Sequence, residues 1–210
     1  MTVSDLAGVV YSSGKVFNGL VTGRRDTEAF LRSGLLDGIA SRSDLALLED
    51  LRDCAQFIID RSWQRIDGDV VCAVNATFGR SAALHPGQLR TLDQQIGVST
   101  RYGPHTPEAM TGAGLQQLID GAFLGSDPCE VALDLFVDLA KAQPFEDGNK
   151  RTALFVANAA LIGSGTGMLL TVPVDDQNTF NDLLARAYLF NEHDPVKNLL
   201  RYQGFTDSLH

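Results

Sequence analysis

The chain has 210 residues, 44% of them hydrophobic and 20% charged, with a formal charge of −9. These values exclude a disordered tail, a collagen-like repeat and a coiled-coil rod. A chain of this length buries roughly 70% of its unfolded surface and needs neither metal nor disulfide to fold.

Residues 1–25 are rich in Gly and Ser and show no clear period, which predicts mostly irregular structure. A short helix follows from Asp26 to Leu36. Leu45, Leu48, Leu51, Ala55, Ile58 and Ile59 recur at three- and four-residue steps and predict a longer helix from Ser43 to Trp63, with Ser43 or Asp44 as its cap. That stripe is core or interface. A third helix is expected over Asp69 to Phe78. Leu84 to Thr106 holds Pro86, Gly87, Gly97, Gly103 and Pro104 and reads as a loop with a small hairpin, its β-like piece at Ile96 to Thr100. Helix resumes from Pro107 to about Leu124. Asp127-Pro128 is a start signal, Asp as N-cap and Pro as first helical residue, for a helix to about Ala142. A very apolar helix over Lys150 to Ile162 ends at Gly163-Ser164-Gly165. An extended piece surrounds Pro173, and helices over Asp176 to Asn191 and Asp194 to Gln203 close the chain.

The three cysteines, Cys54, Cys72 and Cys129, have no CxxC spacing. Neither a disulfide framework nor a zinc site is expected, Cys72 and Cys129 read as small buried hydrophobes, and a reducing cytoplasm fits. The opening MTVSDLAGVV lacks the basic region of a secretory signal. Leu154 to Ile162, the most apolar stretch, is far short of the ~20 residues of a membrane span. Without a long basic run, direct nucleic-acid binding is not expected, although a local basic spot can hold one nucleotide.

The informative segment is Gln143 to Arg151, QPFEDGNKR. Pro144 cannot continue the preceding helix, and Gly148 frees the backbone for a tight turn into the next. A helix N-terminus presents unpaired N–H groups and a partial positive charge. Lys150 and Arg151 oppose that charge unless an anion sits there, so the turn looks built for phosphate. Glu146 and Asp147 beside it suit a divalent cation such as Mg²⁺, which takes one or two carboxylates together with phosphate oxygens.

QPFEDGNKR resembles the signature of the Fic/Doc family, HPFx[D/E]GN[G/K]R. Ala73 to Thr91, AVNATFGRSAALHPGQLRT, looks like the family stretch ending in AGxxRT, and Gln95 to Pro107 falls where the family's flap hairpin lies. The resemblance covers roughly residues 66–200. It implies an all-α Fic fold, a helical core over residues 66–210 with a small β-hairpin flap, behind an N-terminal, mainly helical extension over 1–65. It also implies ATP and Mg²⁺ as cofactors and transfer of AMP to a Ser, Thr or Tyr hydroxyl of a protein substrate. Residue by residue, Phe145 anchors the loop, Asp147 coordinates Mg²⁺, and Gly148, Asn149 and Lys150 form the anion hole with Asn149 on a phosphate. Arg151 pairs with a further phosphate. The flap, at Ile96, Gly97 and Val98, docks an extended target segment by strand addition.

The sequence departs from the family pattern at three points. Gln143 stands where the family has the His that takes the target's proton; a carboxamide cannot do so at neutral pH, and losing a positioned base costs ~10²–10⁴-fold. His105 is the histidine to weigh as a substitute. Leu154 stands where AMP-transferring members often carry a second Arg, which with Lys150 gives a Doc-like look. The string [S/T]xxxE[G/N] of self-inhibiting members is absent. Glu146 occupies a variable family position and is expected at the solvent. Three readings follow: a weak or degenerate protein adenylyltransferase, an inactive nucleotide-binding or regulatory protein working with an active Fic relative, and a Doc-like phosphotransferase toxin with a small antitoxin. A homodimer is compatible with each.

Overall fold

The computed structural model describes residues 1–61, 65–81 and 85–208. Its architecture is all-α, with nine helices and two two-stranded antiparallel sheets among the described residues. The centre is a pair of helices, α6 (Pro128–Ala142) and α7 (Asn149–Ser164), joined by the motif turn. Helix α7 is buried almost all round, which is why its sequence shows no polar stripe. Around the pair lie α1 (Ala7–Asn18), α2 (Arg24–Ser33), α3 (Arg42–Asp60), α4 (Gly68–Ala76), α5 (Gly112–Ala122), α8 (Gln177–Phe190) and α9 (His193–Gln203). One hydrophobic core runs from Leu6 to Leu200, so the helices of residues 1–61 pack into the same interior as the rest.

Asp127 caps α6 as expected, accepting from Cys129 N–H at 2.9 Å with Pro128 as first helical residue. Other starts differ. Ser41 rather than Ser43 or Asp44 caps α3, accepting from Asp44 N–H at 3.0 Å. Asp67 caps α4. Trp63, at the expected end of α3, lies outside the described residues. The helix expected from Pro107 begins only at Gly112 behind a Thr111 cap, because the carbonyls of Pro107 and Glu108 are taken by the Arg90 side chain.

The expectation of irregular structure over residues 1–25 is wrong. A 3₁₀ turn over Val3–Leu6 leads into α1, whose Val9, Val10, Ser12, Ser13, Gly14 and Val16 are buried. Gly and Ser lower its intrinsic helix propensity, and burial against α3 and α7 overrides that. The small residues are there for closeness: a Cβ on Gly14 would stand 3.0 Å from Leu20 Cδ2.

The expected hairpin is present as β1 (Val98–Thr100) paired with β2 (Gly103–His105), shorter than Ile96 to Thr100. A second pair was not anticipated: β3 (Met168–Leu170) against β4 (Phe205–Asp207), next to the extended piece at Pro173. Buried Asn158 of α7 hooks β3 to the core, its amide donating to Leu170 O and accepting from Leu170 N–H, each at 2.9 Å. No described helix is long and apolar enough to cross a membrane.

Candidate anion site at the motif turn

Gln143 ends α6 in the left-handed region, with φ 46°, a costly conformation for a residue with a Cβ. Two bonds hold it there: its N–H donates to Leu139 O at 3.1 Å, and its carbonyl accepts from Arg90 Nε at 2.8 Å. The chain then drops Phe145 into the core and pairs it with Leu89 in an isolated bridge. Asn149 stitches the turn. Its Oδ1 accepts from Phe145 N–H at 2.9 Å and its Nδ2 donates to Phe145 O at 2.8 Å. Gly148 adopts φ 73°, and a Cβ there would lie 3.2 Å from both Asn75 and Phe78. Asn75 of α4 donates to Asp147 O and Thr152 Oγ1, both at 3.0 Å, and accepts from Gly87 N–H at 2.7 Å.

The first helical bond of α7 runs from Thr152 N–H to Gly148 O at 2.8 Å. The N–H groups of Asn149, Lys150 and Arg151 have no acceptor among the described residues. They open beside a cleft of about 180 Å³ lined by Gln143, Asp147, Gly148, Asn149, Lys150 and Arg151, with Ile96, Gly97 and Val98 of the flap on its other side. The sequence-predicted site residues therefore converge on one cavity.

Arg151 is 2% exposed. Its guanidinium lies 4.6 Å from the centre of the Phe78 ring, and Nη1 donates to Ser81 Oγ at 2.8 Å. The buried Nη2 has no hydrogen-bond partner among the described residues; Asp147 Oδ2, at 3.6 Å, is too far to serve. Burial lowers the pKa of Arg151 and, more simply, that of Lys150, whose ammonium sits 5.2 Å from the Phe17 ring centre. A buried cation with an unfilled donor, beside three free N–H groups, calls for an anion. Asp147, half exposed at the rim, has an oxygen to spare for a cation bridging to that anion; no cluster of three or more metal-ligating side chains occurs among the described residues.

Other expectations change. The Asn149 carboxamide is engaged by the turn itself, so the group it leaves without an acceptor among the described residues is its N–H. Glu146 is only partly at the solvent, its side chain 20% exposed: it accepts from Gln94 at 2.5 Å and pairs with His85 at 2.9 Å. His105 bonds Lys141 O through Nε2 at 2.7 Å and stacks on Tyr188, so it does not replace the missing base. Leu154 is in the core. Cys72 and Cys129 are only partly buried, whereas Cys54 is fully buried and its thiol is pushed up to about 12 by desolvation.

Arg90, Asn75, Ser81 and Phe17 were missed as site residues. Arg90, Asn75 and Ser81 lie within the quoted stretch Ala73 to Thr91 but act through backbone atoms or a single hydroxyl, for which spacing gives no sign. Phe17 and Asn18 reach the cleft from the end of α1. Ser13-Gly14-Lys15-Val16-Phe17-Asn18 meets the pattern [S/T]xxxE[G/N] everywhere except at Phe17, a near-match visible in the sequence.

A family model described as Fic/DOC matches residues 65–161. Residues 65–161 belong to the Fic/DOC family. No curated protein matches the chain. Among solved structures, a Fic domain containing signaling protein from Bacteroides thetaiotaomicron has a TM-score of 0.74 at 20% identity, over 93% of this chain and 81% of that one. Fic-1 from C. elegans gives 0.69 at 21%, over 92% and 57%. A Fic family protein from Desulfovibrio desulfuricans gives 0.66 at 14%, over 95% and 64%. The present chain thus spans less than two thirds of the last two. These likenesses extend the Fic fold beyond the matched segment to nearly the whole chain, including α1 to α3.

Proposed function

We propose that the chain binds ATP with Mg²⁺ at the motif turn and transfers AMP to a protein hydroxyl slowly, because Gln143 holds the place of the base. The observation that carries the reading is the unfilled Nη2 of buried Arg151 beside the free N–H groups of Asn149 to Arg151. A second cleft, of about 510 Å³, shares Val98 and Lys150 with the first. Its lining includes Asn178, Asn181 and Tyr188, whose buried Oη has no partner among the described residues. The triphosphate fits the smaller cleft and the nucleoside the larger. Asp147 would hold Mg²⁺, which supplies charge neutralisation to the phosphates.

In the transfer, the target oxygen bonds the α-phosphorus and the bond to the departing pyrophosphate breaks. The Gln143 carboxamide cannot take the hydroxyl proton, which leaves to water instead. With His105 engaged elsewhere, the binding-protein reading is the alternative. The test is ATP labelled at the α position or, in a parallel sample, at the γ position, with Mg²⁺ and cell lysate. Gln143→His is expected to raise labelling by ~10²–10⁴-fold over the parent. Label from the γ position alone points to phosphate transfer. No gain in the His variant while ATP still binds favours the binding protein.

A further inference from the structure

Arg151 does not hold its place alone. The hydroxyl of Ser81, which accepts from Arg151 Nη1 at 2.8 Å, itself donates to Asp50 Oδ2 at 2.7 Å. Asp50 is on α3, outside the segment matched by the family model, and is 0% exposed. The same carboxylate accepts from Ser81 N–H at 2.7 Å, Arg80 N–H at 3.0 Å and Arg80 Nη1 at 3.0 Å. Arg80 is the cation bonded directly to Asp50, and it also pairs with Asp53 at 2.9 Å and Glu49 at 3.4 Å.

A carboxylate only accepts and a guanidinium only donates. Between the two, the single proton of the Ser81 hydroxyl has one direction available, toward Asp50. Its lone pairs are thereby turned to Arg151, and the carboxylate polarises the hydroxyl into a stronger acceptor. Phe78 fixes the plane of the guanidinium from one face. With Nη1 held this way, Nη2 is the end left without a partner among the described residues, on a side chain that lines the cleft.

We propose that Asp50, acting through Ser81, is a positioning residue that aims the Arg151 guanidinium at the anion, which makes α3 a working part of the site. This rests on the reading of the motif turn as an anion site.

Calorimetric titration of the full chain with inorganic tripolyphosphate tests it. Ser81→Ala leaves the bonds of Asp50 to both backbone N–H groups and to Arg80 in place, so the melting temperature is expected to stay within a few degrees. The affinity is expected to fall about tenfold, the scale of one charge-assisted hydrogen bond. Ser81→Thr, which keeps the hydroxyl, restores it. Asp50→Asn weakens binding too, and adds nothing further in the Ser81→Ala background. Parent-like binding by Ser81→Ala, failure of Ser81→Thr to rescue, or additive losses overturn the proposal alone. A parent chain that does not bind tripolyphosphate overturns the anion-site reading and this inference together.

Discussion

The motif turn and the flap face each other across one cleft and are held by different kinds of contact. The turn is closed by one bond pair of its own, Asn149 to both backbone atoms of Phe145, and by two side chains from elsewhere, Asn75 to Asp147 O and Arg90 to Gln143 O. Phe145 is 1% exposed beneath it. The flap is two three-residue strands whose tip leans on α8 through Arg101–Asp182 at 2.7 Å and Tyr102 against Phe190 at 5.4 Å. The Arg101 side chain is 69% exposed. A cradle for an anion gains from being set before the ligand arrives, because ordering it afterwards costs affinity. The base of the flap is tied down, with His105 bonded to Lys141 O at 2.7 Å and stacked on Tyr188, while a weak, solvent-facing tip suits the proposed docking of a peptide strand.

Substitutions on the two sides sharpen this contrast. Phe145→Ala removes a buried ring under the turn and is expected to cost ~3–5 kcal/mol, read by chemical denaturation, and to abolish nucleotide binding. Asn149→Ala removes two hydrogen bonds without opening a large cavity. Its expected cost is ~1–3 kcal/mol, with weaker tripolyphosphate binding because the N–H groups of residues 149–151 are less well set. Arg101→Ala, at the flap tip, is expected to change stability by ~0–1 kcal/mol and to leave tripolyphosphate affinity unchanged. Faster amide exchange over residues 98–105 would accompany it. A large stability loss from Arg101→Ala, or none from Phe145→Ala, breaks the distinction between cradle and cover.

The turn was legible because its residue types carry their physics locally. Pro144 ends a helix, Gly148 takes a positive φ, and two cations at a helix start signal an anion. Asp127-Pro128 was readable for the same reason. What stayed hidden depends on contacts distant in sequence. The helix α1 forms from Gly and Ser because the interior demands closeness there, a demand that its own period does not record. Asp50 lay within a predicted helix but reads as one more acidic residue until Ser81 and Arg151 are brought beside it. Glu146 looked free because its partners, His85 and Gln94, come from the irregular segment before the flap.

The central claim is that buried Arg151 and the free N–H groups at the start of α7 receive the phosphates of a nucleotide. Calorimetric titration of ATP with Mg²⁺ into the parent chain and into Arg151→Gln tests it most directly. Binding by the parent and a loss of tenfold or more in the variant, with the fold retained by circular dichroism, is the predicted result. No heat of binding in the parent, or equal affinity in the two proteins, contradicts it.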